Sequence, residues 1–167
     1  MKKGNGNRRL ILPVILIFSI GIGSGCVDKA QEFLPVRLGE LKLDKKLTGQ
    51  EALDFVNKLH LQPVTHAKNE IGFYRGESGA ATIYITRYPD ADKAETDFRK
   101  MTAKISPQNS VFTDSEFTRI GEKFVYRCRG MGQVHLIFTE QEALVWFAAE
   151  PPLVDQLIED YLAFLTR

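Results

Sequence analysis

Three histidines and two cysteines carry most of the acid–base, metal-binding and thiol chemistry open to this chain of 167 residues. The histidines are His60, His66 and His135. No two of them stand four apart on a helix or two apart on a strand, so a metal site would have to be assembled by tertiary approach. Cys128 lies in the stretch FVYRCRG. Strand alternation there puts Phe124, Tyr126 and Cys128 on one face and Val125, Arg127 and Arg129 on the other. The two arginines that could lower the thiol's pKa therefore point away from it, and Cys128 reads as a small core residue. The sequence carries no nucleophile elbow, phosphate-cradling glycine loop, metalloprotease helix or paired-carboxylate motif. An enzyme or metal-binding protein would have to work through His66, His135 or Cys128. The leading expectation is a non-catalytic binding or assembly module with no cofactor and no bound metal.

The second cysteine stands in a different setting. Lys2, Lys3, Arg8 and Arg9 precede an apolar run from Leu10 to Ile22, which is followed by the small residues of GSGC ending at Cys26. A basic start, a short apolar stretch and a small-residue segment make an export signal, and the run is shorter than the roughly 20 residues a spanning helix needs. Residues 1–26 resemble the lipobox-type signal peptide of bacterial lipoproteins. Gly25 and Ser24 match the small residues before the cysteine, while Gly23 stands where that family usually carries leucine. The resemblance implies that residues 1–25 are removed and that Cys26 becomes an acylated first residue. Several acyl chains make a durable membrane anchor. Val27, rather than aspartate, follows the cysteine. By the family's sorting rule this implies an outer-membrane protein facing the periplasm in a Gram-negative cell envelope.

Removing residues 1–25 takes away four basic side chains and no acidic one. The remaining 142 residues carry 18 basic against 21 acidic residues. That mildly acidic, mixed surface argues against a nucleic-acid partner, which would need a basic patch. It also leaves Cys128 without an intramolecular disulfide partner.

The elements that must position these residues follow from periodicity. Residues 26–47 read as the lipid-attachment cysteine with a tether and a docking segment, and 48–167 as a single domain. The capping-box pattern TGQE at 48–51 opens a helix whose apolar face carries Ala52, Leu53, Val56 and Leu59. Short strands follow at 63–67, from Ile71, and from Ala80 to Tyr88. Asp90 then caps a helix with Ala91, Ala94, Phe98, Met101 and Ile105 on one stripe. After a loop at 106–110 the second half gives four strands and a last helix from about Pro152 to Leu165.

The expected fold is α+β: a curved antiparallel sheet of about seven strands, with the two long helices packed on one face. The echo of FYRG at 73–76 in VYRCRG at 125–130 suggests a pseudo-repeat of two halves. The stretch from GFYRG to DADKAETDF is similar to uncharacterised α+β envelope domains, a likeness that transfers no catalytic residue. Several strands are apolar on both phases, so the second face must be covered. Either residues 33–47 fold over it, or it forms a ligand or partner surface. The candidates for that surface are Tyr84, Tyr88, Arg127, Arg129 and Phe147.

Overall fold

The computed structural model describes Met1 and residues 31–59, 68–105 and 111–167. Cys26, His60 and His66 lie outside the described residues. The elements run β1 (Arg37–Leu38), β2 (Leu41–Thr48), α1 (Gly49–Leu59), β3 (Lys68–Gly76), β4 (Gly79–Arg87), α2 (Ala91–Thr102), β5 (Thr113–Ile120), β6 (Lys123–Gly130), β7 (Gln133–Glu140), β8 (Ala143–Ala149) and α3 (Val154–Leu165). All eight strands form one antiparallel sheet in the order β1-β2-β3-β4-β8-β7-β6-β5. Two meanders, β1–β4 and β5–β8, are thus joined side by side along β4 and β8, with Ala81 opposite Ala149 and Arg87 opposite Ala143.

The sheet is α+β as expected, with eight strands where about seven were anticipated. Six of the expected strands are present, and the seventh, at 63–67, lies outside the described residues. The two additional strands, β1 and β2, come from the segment assigned to tether and docking. Only every second to fourth residue of LKLDKKLT points inward, which hides a strand behind its lysines. Thr48 ends β2 opposite Glu70, and the Glu51 carboxylate pairs with Lys45 at 3.4 Å. The sharp passage from β2 into α1 is made by Gly49, whose φ of 55° suits a residue without a Cβ.

The two long helices lie on opposite faces of the sheet, not on one. α3 buries Val154, Leu157, Ile158, Tyr161 and Leu165 against Ile83, Ile85, Leu136, Phe138, Val145 and Phe147. Phe33, Leu34, Leu38 and Leu41 complete that core, so part of the 33–47 segment does fold over a sheet face, beside α3. α2, capped by the Asp90 carboxylate on the Lys93 N–H at 2.8 Å, covers the other face. It sets Phe98, Met101 and Ile105 against Tyr126, Cys128, Ile137 and Leu144. α1 shares that face, packing Ala52 and Val56 on Ile71 with Phe55, Phe73 and Tyr84 alongside. The interior strands β7 and β8 are apolar on both phases, and only a layer on each side removes both sets of side chains from water.

The FYRG/VYRCRG echo does not extend to packing. Tyr74 points into the α3 core and Tyr126 into the α2 core. The sheet's two outer strands differ. β1 is two residues long, whereas β5 is a full strand whose pairing slips between Thr113 and Glu116, with Asp114 at φ 51°. Such an irregularity blunts an otherwise open edge.

Candidate functional site

The residues with intrinsic chemistry are held in structural roles. His135 and Cys128 are neighbours across the β6–β7 ladder, a juxtaposition fixed by the tight Met131–Gly132 turn between them. Both point toward α2, yet they are not wired as a base and a nucleophile. The Trp146 indole N–H can only donate, and it donates to His135 Nδ1 at 2.9 Å. Nε2 therefore carries the ring proton and donates it to the Gly130 carbonyl at 3.0 Å. Phe112 closes the site edge-on to the imidazole, with ring centroids 4.9 Å apart. A Cβ on Gly130 would stand 2.5 Å from the Phe112 ring, so the glycine makes this close approach of backbone to ring feasible. Neither imidazole nitrogen is left to bind a metal. Cys128 is fully buried, and burial pushes its thiol up to about 11, so it stays protonated at neutral pH.

Burial lowers the pKa of His135, opposed by its hydrogen bond to Gly130, which raises it. The unfolded chain would take up this proton near the ordinary histidine value of about 6.5, whereas the folded chain resists it to lower pH. Stability from this group is complete above that value and declines as pH falls through it. We expect Tm to drop between about pH 7 and about pH 5 and the slope to flatten in a His135→Gln variant. A carboxylate effect lies at lower pH. Burial pushes Glu70 up, but its hydrogen bonds and attraction to Lys46 and Arg87 outweigh this and hold it below its usual 4.5. An unchanged slope in His135→Gln would show that another group titrates.

The five residues expected to share a surface are divided between the two faces. Tyr84 is half-buried beside Phe55, ring centroids 6.4 Å apart, and burial raises its pKa. Tyr88 is half-buried on the α2 side with the Lys93 ammonium 5.1 Å over its ring. Burial, then the nearby Asp97, push its phenol up to about 12. Arg127 and Arg129 lie on the opposite face, reaching Asp155 of α3 at 3.5 Å and Asp114 at 3.8 Å. Phe147 is wholly buried beneath α3, its ring 5.7 Å from that of Tyr161. It belongs to the core, and the five residues do not form a single surface.

Two other surfaces stand out among the described residues. One is an open groove of about 440 Å³ between α1 and the β2–β3 pair. Phe55 and Phe73 form its aromatic floor, edge to face at 5.5 Å. Asp44, Glu51 and Asp54 line it together with Lys45, Lys58 and Arg75. The other is an exposed aromatic pair on the β5–β6 hairpin. Phe117 and Phe124 are 51% and 54% exposed and stack in parallel at 4.9 Å. Phe98 and Tyr126 touch the Phe117 ring edge-on from the buried side. Strand alternation places Phe124 on the Cys128 face but does not identify Phe117 as its partner. The two-residue turn at Gly121–Glu122 held the missing signal, because it fixes the hairpin register. Comparisons with protein-family models, curated proteins and solved structures find no match to this chain.

Proposed function

We propose that this chain is a lipid-anchored protein of the bacterial cell envelope that works by non-covalent binding. In a Gram-negative cell it is held at the outer membrane and faces the periplasm. The anchoring part is supported by the basic, apolar and small-residue sequence that ends at Cys26. The binding part is supported chiefly by the groove beside α1. An apolar floor of two phenylalanines within a charge-balanced rim suits a polypeptide segment that inserts one apolar side chain and offers both signs of charge around it.

Mass spectrometry of the mature protein is expected to find Cys26 as an acylated N-terminus. An intact bond between residues 25 and 26, or an unmodified Cys26, would overturn the anchor. A photo-crosslinking residue in place of the exposed Lys58 is expected to form a discrete adduct in cells that disappears on adding Phe55→Ser. The same adduct pattern with and without Phe55→Ser would overturn the groove as the binding site. The reading that uses His135 or Cys128 for catalysis or metal binding gains no support from their surroundings, since one has both nitrogens engaged and the other is buried.

A further inference from the structure

Where the fold begins limits how far the domain can stand from an anchor at Cys26. Gln31 is already docked: its side chain donates to the Leu165 carbonyl at the end of α3 at 3.1 Å. Its own carbonyl accepts from Arg87 Nη2 at 2.6 Å. Two residues on, the Phe33 carbonyl accepts from the buried Tyr161 hydroxyl at 2.9 Å. Five residue steps separate Cys26 from Gln31. At no more than about 3.6 Å per step, these span less than about 18 Å. An anchor at Cys26 therefore keeps Gln31, beside Arg87 at one end of β4, within about 18 Å of the bilayer.

The ladders show which end this is. Arg87 lies opposite Lys68 and Ala143, Ala143 opposite Glu140, and Lys123 pairs with Glu140. The β5–β6 turn at Gly121–Glu122 is therefore at the same end as Gln31, with Phe124 one residue in from Lys123. Between β4 and β6 lie three strand spacings, about 14 Å across the sheet. The exposed Phe117–Phe124 pair is thus at the same end of the sheet as Gln31, on the α2 face whereas Gln31 docks on the α3 face, so a bilayer laid across that end meets both. Aromatic rings are favoured in that interfacial layer. Their immediate charges, Glu116, Arg119, Glu122 and Lys123, are balanced in sign, so this contact is expected to need apolar insertion rather than anionic lipid.

We infer that Phe117 and Phe124 form a second membrane contact, inserting into the interfacial layer of the bilayer and fixing the domain's orientation on its lipid anchor. This inference rests on the acylation of Cys26 proposed above. It is tested with the acylated mature protein, beginning at Cys26, in zwitterionic phosphatidylcholine vesicles. Cys26 is then blocked and Cys128 buried, so a fluorophore can be placed on Glu122→Cys at the Phe124 end or on Ser78→Cys in the β3–β4 turn at the opposite end. Lipids spin-labelled in the headgroup region are expected to quench the probe at 122 severalfold more than at 78, at low and high salt alike. Adding Phe117→Ser with Phe124→Ser is expected to abolish the difference.

Equal quenching at both positions, or quenching at 122 that survives the double substitution, would overturn the inference. Shielding of the 122 probe that rises with protein concentration, without quenching by lipid, would assign the pair to a second copy and overturn it too. An acylated Cys26 with no quenching at 122 defeats this inference alone. An unmodified Cys26 defeats the anchor itself.

Discussion

Replacing Phe147 with alanine is expected to lower the unfolding free energy by about 3–5 kcal/mol, the range for emptying a fully buried aromatic site. The ring has no exposure, lies opposite Ile83 on β4 and Leu136 on β7, and is roofed by Tyr161 of α3. All three neighbours belong to regular strands and a helix, so the cavity is not expected to close by local collapse. Urea unfolding should show an earlier midpoint with an unchanged slope, because the surface exposed on unfolding is nearly the same. Phe124→Ala, at a half-exposed position, should cost less than about 1 kcal/mol. The reverse order would mean that Phe147 serves a surface, as alternation alone suggested.

The second large effect is expected at Arg87. Its side chain, only 17% exposed, meets Glu70 at 3.3 Å and Glu142 at 3.5 Å. It also donates to the Gln31 carbonyl and covers the Phe33 ring at 4.5 Å. Arg87→Ala removes all four contacts at once and leaves Glu70 with Lys46 alone as its cationic partner. Breaking a fully buried ion pair costs about 3–5 kcal/mol, and the remaining exposure here reduces that to about 2–3 kcal/mol. The loss should be uneven. Amide exchange is expected to accelerate first in residues 31–36, where the incoming chain loses its clamp, and only later in β7 and β8. Uniform acceleration across the sheet would show that Arg87 supports the core in general and not the docking of this segment. Because that segment leads to the anchor proposed at Cys26, an acylated chain carrying the same variant is expected to stand farther from the membrane.

What could be read from the sequence follows the range of the interactions involved. α2 was legible because Asp90 and the Ala94, Phe98, Met101, Ile105 stripe are local signals within four residues of one another. Alternation likewise gave the phase of β4 and β6. The match of phases between strands distant in sequence was not legible. Nothing near Ile83 specifies that it faces Phe147, yet that pairing puts Tyr84 opposite Trp146 and sends Phe147 to the other side. The proposed surface divided for that reason. The face chosen by each helix was hidden in the same way, since it depends on how the chain leaves β4 and β8. His135 read as a lone polar residue on a strand. Its two partners, at Gly130 and Trp146, come from the end of the preceding strand and from the next strand.

The seam between β4 and β8 also sets the order in which the molecule can form. Each meander closes between neighbours in the chain, but Ala81 must wait for Ala149, sixty-eight residues later. Until β8 arrives, β4 and β7 are both unpaired edges in the middle of the future sheet, each rich in β-branched and aromatic residues. A chain shortened before residue 143 would keep both hairpin systems and lose the strand that unites them. It should associate through those edges instead of folding. The slow step of folding is therefore expected to be the search that brings the β8 edge of the second meander onto β4.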